Sequence, residues 1–340
     1  MDETAAPAVP DFGLWYDFRN PDAGRSFSTF YAEVLEQIAW AESLGLDSVW
    51  LTEHHFCDDG YSPSPFVLGS AIAQRTQRMR IGTNLIVSPL HDPVRLAEDA
   101  ATLSLLSGGR FDLGVGQGYW AREFEAFGRV LKQRPSLLEE GIELIRTAWS
   151  GSAAGYEGKR YRLPPLPVTP VPETPPKLLV GAMADVAIER AARIADGFLS
   201  TQNVHHRSYL DACARLGRPA DEARIYAGQW AIVAEDPEKI WASVGEHALY
   251  QLNEYISWGA FGPPESTPRF TDPQQIVDAG AYQLMDAGTA VPHFTELIRS
   301  TPQIRDVHFW AMLPGEPVAS GSERIAYLAE KVLPQVRAAL

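Results

Sequence analysis

The sequence predicts an eight-stranded parallel α/β barrel, and three observations carry that prediction. Strand-like and helix-like segments alternate from near the start of the chain, which is the pattern of βα units around a parallel sheet. Eight such pairs are read along it. The 340 residues are enough to hold them, since barrels of this kind run to about 250 residues or more as one domain.

The first strand is read in "FGLWYDF" (12–18). The following "STFYAEVLEQIAWAESLG" puts Tyr31, Val34, Leu35, Ile38 and Ala41 on one helical face, with Gly45 able to end it. "DSVWLTE" (47–53) is the second strand and "SPFVLGSAIAQRT" its helix. "MRIGTNLIV" (79–87) pairs with the helix of "PVRLAEDAATLSLLS", where Pro93 suits a first turn. "GRFDLGVGQG" (109–118) leads to the long helix of "PSLLEEGIELIRTAWSG". The segment of about 151–176 breaks the rhythm: "GYEGKRYRL" alternates like a hairpin and "PPLPVTPVPETPP" is too rich in proline for regular structure, so an insertion over the barrel surface is expected. "KLLVGA" (177–182) with "DVAIERAARIA", and "DGFLST" (196–201) with "RSYLDACARLG", continue the series. "ARIYAGQWAIVAE" (223–235) precedes a helix starting near Pro237. The stretch of about 255–271 reads as an irregular loop, and so long a loop in a compact domain suggests a functional lid. "RDVHFWAML" (305–313) and "SERIAYLAEKVLPQVRAAL" close the count. The expected fold is therefore a TIM barrel with insertions, one domain over 11–340 behind a disordered tail over 1–10.

With 45% hydrophobic residues a sizeable core is available, while 29 Lys and Arg against 43 Asp and Glu give a net charge of −14 and no basic block to follow a phosphate backbone. Nucleic acid is not an expected partner. No apolar run reaches the roughly 18 residues of a membrane span. The acidic start "MDETAAPAVP" lacks the basic and apolar regions of a secretory signal, so a cytoplasmic protein is expected. Cys57 and Cys213 are too few for a metal cluster, and a structural disulfide is not expected.

Barrels of this type carry their active sites at the C-terminal strand ends, and "EHH" (53–55) sits at one. No helical metal-ligand spacing is present, and adjacent extended residues point to opposite faces, so His54 and His55 are not expected to close on one ion; His205 and His206 meet the same objection. Trp50, Thr52 and His54 share a face by strand parity. One histidine can then point into the barrel mouth as a proton donor or acceptor while the other packs outward. "GVGQG" (114–118) departs from a dinucleotide fingerprint at Tyr119, yet glycines at a strand end let a flat ligand approach the backbone closely. In "GAMADVAIER", Gly181, Ala182 and Met183 lie between a strand and a helix N-terminus, where backbone N–H groups suit a phosphate. Trp15, Phe56, Tyr119 and Trp120, with Trp310, are candidates to line an apolar or aromatic substrate pocket.

These pieces join one pattern. The run from "DSVWLTEHHF" to "EFEAFG" holds E-H-H-F, G-T-x-x-I-V, P-V-R-x-x-E-D, G-R-F and E-F-x-x-F-G in order, and it resembles the N-terminal half of the bacterial luciferase-like flavin-dependent monooxygenases, the luciferase α subunit in particular. "HFWAMLPG" and "AEKVLPQV" match the family's end more loosely. The resemblance implies a TIM barrel that binds reduced FMN, supplied by a separate flavin reductase, and uses dioxygen to oxygenate a small organic substrate through a flavin hydroperoxide. It implies that His54 is catalytic, that Glu53, Asn84 and Leu85 stand at the flavin, with an unusual, sometimes cis, peptide at Asn84–Leu85, and that Gln117, Gly181, Ala182 and Met183 serve its phosphate. A homodimer is the family default. Departures accompany the match: Gly116 and Gln117 stand where the luciferase subunit has a reactive cysteine and a phosphate-binding arginine, and Asp185 would repel a phosphate unless it turns away. The alternatives are an oxidoreductase of the same superfamily using a deazaflavin coenzyme, and a catalytically silent luciferase-like subunit, against which the retained His54 argues.

Overall fold

The computed structural model describes residues 9–22 and 24–340. Eight strands form the barrel: β1 (Asp11–Tyr16), β2 (Ser48–Leu51), β3 (Arg80–Thr83), β4 (Phe111–Gly116), β5 (Leu178–Gly181), β6 (Gly197–Ser200), β7 (Ile225–Gln229) and β8 (Ile304–Trp310). Every neighbouring pair is parallel, from β1–β2 round to β7–β8, and β1 pairs with β8 to close the ring. This is the expected TIM barrel. Most of the tail read over 1–10 falls on residues 1–8, outside the described residues.

The barrel interior is filled by tryptophans set against glycines. Trp50 and Gly82 share a register on β2 and β3, and a side chain at Gly82 would collide with the Trp50 ring. Trp15 takes the space left by Gly228 on β7 in the same way. Trp15 stacks on Trp310 with ring centroids 4.1 Å apart. Together with Leu179, Leu199 and Tyr226 these rings form one buried cluster, separate from the larger layer of aliphatic side chains between strands and helices. Close filling of this kind makes the barrel a packed core and leaves its mouth as the place for a ligand.

Helices start where caps are available. Asp92 accepts from the N–H groups of Val94 and Arg95 at the start of Pro93–Leu106, and Asp236 caps Pro237–Trp258 through the N–H of Lys239. The insertion holds the expected hairpin, Tyr156–Glu157 against Arg162–Leu163.

Four expectations are corrected. The strand read over 79–87 is broken at Asn84–Leu85, a cis peptide, and resumes at Ile86–Val87. The strand over 223–235 breaks at Trp230; Ala231–Val233 leaves the barrel to pair with Gln283–Met285. The irregular loop does not start at 255, because Tyr255, Ile256 and Trp258 continue the buried face of Pro237–Trp258 until Gly259 ends the helix at φ 88°. The closing helix is in three pieces, Val318–Tyr327, a π turn at Leu328–Val332, and Leu333–Ala339, since Pro334 has no N–H to return to the preceding turn. The sequence reading also assigns no element between 272 and 305, where the helices Pro273–Asp278 and Ala287–Ser300 stand; Pro292 inside the latter hides its pattern.

Candidate active site

A cavity of about 670 Å³ opens at the C-terminal ends of the strands. Of the residues singled out from sequence, Trp15, Glu53, His54, Asn84, Leu85, Gln117, Tyr119, Gly181, Ala182 and Met183 line it. Phe56 does not. Strand parity stops applying once β2 ends at Leu51, and Phe56 sits at φ 60° with 47% of its surface exposed, its ring against Phe127 on the outside. Trp120 lies behind the cavity wall, stacked on Trp258 at 5.0 Å, and Trp310 belongs to the barrel core. Asp185 faces solvent and not the cavity.

His54 and His55 divide as their geometry requires. The His54 Nδ1 lies 2.9 Å from Oε1 of Glu123, and its Nε2 lies 2.7 Å from the Tyr119 hydroxyl. Glu123 comes from the short helix Ala121–Ala126 after β4; it is fully buried and also accepts the His55 backbone N–H at 2.8 Å. An ionised carboxylate only accepts hydrogen bonds, so the proton of a neutral His54 sits on Nδ1. Tyr61 and Trp258 cover the imidazole at centroid distances of 4.8 and 4.9 Å.

Glu53 holds the next wall in place. Its Oε2 accepts the Val87 N–H at 2.6 Å just beyond the cis peptide, and its Oε1 accepts from Nε2 of His91 at 2.8 Å, with the His55 ring nearby at 3.4 Å. Burial pushes this carboxyl up, but the two imidazoles outweigh it and hold it at about 2. Glu53, His55 and His91 are also the group whose donor atoms, all within 4.8 Å of one another, could hold a metal ion among the described residues.

Asn84 is fixed from inside the barrel. Its Nδ2 donates to Nε2 of His308 at 3.0 Å, and Nδ1 of His308 donates to Asp306 at 2.7 Å. Asp306 also accepts from Trp50 and Ser48. The Asn84 carbonyl takes the Trp15 indole N–H at 3.2 Å. Leu85 then projects over Gly116 and Gly181: a side chain at Gly116 would come within 2.6 Å of a Leu85 methyl, and one at Gly181 would meet the same atom. The two glycines thus keep a flat floor on which a planar ring system fits.

The cavity is polar at one side and aromatic at the other. Gln117 Oε1 and His205 Nδ1 are buried without a partner, and Arg134 lines the cavity with no carboxylate in contact among the described residues. With the backbone of Gly181–Met183 ahead of the helix Asp185–Ile194, Arg134, a His205 ring N–H and the amide N–H of Gln117 supply donors that fit an anionic tail, whereas Gln117 Oε1 can only accept. Around His54 the lining is Tyr61, Tyr119 and Tyr255, with Trp230 against Tyr255; Phe261 also lines the cavity. Arg19, which does not line the cavity, is buried, paired with Asp59 and lies over the rings of Tyr61 and Trp258.

Residues 11–293 match the model of a family described as luciferase-like monooxygenase. The chain belongs to this family. Among curated relatives of this luciferase-like barrel, the F420-dependent glucose-6-phosphate dehydrogenase of Amycolatopsis mediterranei (strain U-32) is 34% identical over 186 residues, 53% of this chain and 56% of that protein, so the match spans little more than half of the relative's length. The enzyme of the same name from Nakamurella multipartita is 26% identical over 331 residues, covering 90% of this chain and 93% of its own. In overall structure the luciferase-like barrel is similar to the monooxygenase RslO1 of Streptomyces bottropensis, with a TM-score of 0.82 at 23% identity, over 95% of this chain and 99% of that one. The oxygenating constituent of 3,6-diketocamphane monooxygenase from Pseudomonas putida, in complex with FMN, gives 0.77 at 17% identity, over 96% and 99%. The chain is thus an oxidoreductase of the luciferase-like family; the two curated relatives named above are F420-dependent, and one of the two structural neighbours is in complex with FMN. No helix among the described residues is long and apolar enough to cross a membrane.

Sequence reasoning missed Glu123, Tyr61, Trp230, Tyr255, Arg134 and His205 as cavity residues or their partners. Only Glu123 left a signal, as the acidic member of E-F-x-x-F-G; Tyr61 comes from the loop after β2, Trp230 directly follows β7 and Tyr255 stands on the helix Pro237–Trp258, and no local pattern reports that these segments meet.

Proposed function

We propose that the protein is a hydride-transferring oxidoreductase that takes a deazaflavin coenzyme of the F420 class and an uncharged, largely apolar alcohol or its ketone. The observation that carries this reading is the His54–Glu123 pair beside an aromatic-walled cavity. Oxidising an alcohol requires a base for the hydroxyl proton, and an imidazole backed by a buried carboxylate supplies one. The F420-dependent dehydrogenases among the relatives support the coenzyme. Asn84, Leu85, Gly116 and Gly181 would hold its ring system, and Gln117, Arg134, His205 and the backbone of Gly181–Met183 its anionic tail. When bound, the coenzyme would supply the hydride acceptor. Glu123 orients His54 and stabilises its protonated form. Phe261 and the loop 259–262 line the cavity rim.

The substrate class follows from charge. Arg134 is the one permanent cation among the residues that line the cavity, since burial lowers the His205 imidazole below its ordinary value, and Arg19 is paired with Asp59 and covered by rings. A phosphorylated sugar would find no free cation beside His54. The proposed substrate is therefore neutral.

A second reading, a monooxygenase taking reduced FMN from a separate reductase and using dioxygen, is supported by the family's description and by the fold shared with the FMN-bound neighbour. Fluorescence titration of the protein with F420 and with FMN separates the two. The first reading expects F420 to bind at least about tenfold more tightly, a difference of about 1.4 kcal/mol; tighter FMN binding would favour the second.

A further inference from the structure

We infer that the group exchanging a proton with the substrate is the Tyr119 hydroxyl, with His54 behind it and Glu123 behind His54, so that the three side chains act as one relay. This rests on the hydride-transfer reading above. His54 lines the cavity, yet both its nitrogens are occupied: Nδ1 by Glu123 at 2.9 Å and Nε2 by Tyr119 at 2.7 Å. Its ring is enclosed by Tyr61 at 4.8 Å and Trp258 at 4.9 Å. A proton passing between His54 and the cavity along existing hydrogen bonds therefore passes through the Tyr119 oxygen.

The directions of the bonds suit that path. With the His54 proton on Nδ1, facing the carboxylate, Nε2 is an acceptor and the Tyr119 O–H donates to it. The Tyr119 oxygen keeps lone pairs for a substrate hydroxyl, and Tyr119 itself lines the cavity. Burial, with Tyr255, Glu123 and Cys57 close by, pushes its phenol well above the usual range, so it holds its proton until one arrives from the substrate.

The step balances. As the carbinol carbon gives a hydride to the deazaflavin coenzyme, the alcohol O–H bond breaks and its proton goes to the Tyr119 oxygen. The proton Tyr119 held passes to Nε2, and the C–O bond becomes C=O. The substrate loses two electrons and the coenzyme gains them; the imidazolium is left paired with Glu123. Ketone reduction runs the same transfers backwards. For His54 to act directly, Tyr119 would first have to leave its 2.7 Å bond.

Tyr119→Phe keeps the ring and removes only the hydroxyl. Two readouts test the relay on the full chain: nitrogen NMR shifts of His54 in protein free of coenzyme, and steady-state kinetics with F420 and the best substrate from a panel of uncharged secondary alcohols headed by 1-phenylethanol. The expected result is a His54 Nε2 resonance that moves to the position of an unbonded acceptor in Tyr119→Phe while Nδ1 stays. With it, kcat falls by about 10²-fold at nearly constant KM and coenzyme affinity. The double variant Tyr119→Phe/His54→Ala loses little more than either single one, as expected for residues acting as a unit. A Tyr119→Phe kcat within about threefold of wild type, a loss confined to KM, or multiplied losses in the double variant would each overturn the relay. A wild type without F420-linked turnover but with the Nε2 bond present in its spectrum overturns instead the hydride-transfer reading, and the relay's redox role with it.

Discussion

Nδ1 of His54 lies 2.9 Å from Oε1 of Glu123, a carboxylate with no exposed surface that also accepts the neighbouring His55 N–H at 2.8 Å. One buried oxygen therefore fixes both the orientation of the imidazole and the backbone that carries it. Everything proposed about the chemistry depends on this pair.

Replacing either member should separate chemistry from binding. His54→Ala and Glu123→Gln are expected to lower kcat by roughly 10²-fold, the usual scale of general acid–base contributions, with coenzyme affinity unchanged because neither side chain stands at the ring floor or the polar end. Stopped-flow turnover beside fluorescence titration checks both halves. Turnover unchanged in His54→Ala would remove it from the mechanism.

Gly181→Ala should weaken coenzyme binding without unfolding the barrel. The added methyl meets a Leu85 methyl and drives that flexible side chain into the space assigned to the ring. A loss of at least about tenfold in affinity is expected, and Leu85→Ala in the same chain should restore most of it. Failure of the second change to rescue the first would place the ring elsewhere.

Asp306 supports the site from the barrel interior. It accepts from His308, Trp50 and Ser48, and His308 in turn accepts from Asn84. Asp306→Ala leaves the His308 N–H and the Ser48 hydroxyl buried without their acceptor, while the Trp50 N–H keeps only its 3.1 Å bond to Ser48 Oγ. With each orphaned group costing about 1–3 kcal/mol, a loss of roughly 3 kcal/mol in urea unfolding is expected. A change below about 1 kcal/mol would show that the network relaxes freely.

The Glu53–His91 contact predicts a stability maximum in mildly acidic solution. Against burial, the imidazoles hold the Glu53 carboxyl at about 2, below its ordinary 4.5, so its contribution is present above pH 4.5 and lost as pH falls toward 2. Burial pulls His91 down, but Glu53 outweighs that and raises it above its ordinary 6.5, so its contribution is full below pH 6.5 and lost as pH rises through the raised value. The stability difference between wild type and His91→Ala should therefore be largest between these two pH values and shrink on either side, as measured by urea unfolding across pH. A flat difference would contradict the pairing.

Much of this was legible in the sequence because the barrel's strands are short runs of "VWL" or "LLV" type between amphipathic helices, and each run marks its own place. His54 was legible from its place in "EHH" directly after the β2 run, although β2 itself ends at Leu51 and the contacts of the two imidazoles decide which one faces the mouth. Phe56, chosen only as an aromatic residue beside the motif, was misplaced, because the left-handed backbone there turns its ring outward. Glu123 was visible only as part of a motif, because its contact with His54 spans 69 residues and depends on how the loop after β4 folds back over β2. The aromatic wall was least legible. Tyr255 and Trp258 look like loop residues beside "GAFGPP", and only their place on the buried face of a long helix brings them to the site.

The most direct test of the central claim is anaerobic mixing of the protein with F420 and an uncharged secondary alcohol deuterated at its carbinol carbon, followed by the coenzyme's visible absorbance and by mass. The account predicts that the absorbance fades, more slowly than with the unlabelled alcohol, and that one deuterium appears in the reduced coenzyme. If F420 stays oxidised across the alcohol panel while reduced FMN and dioxygen yield an oxygenated product, hydride transfer is the wrong chemistry for this site and the monooxygenase reading takes its place.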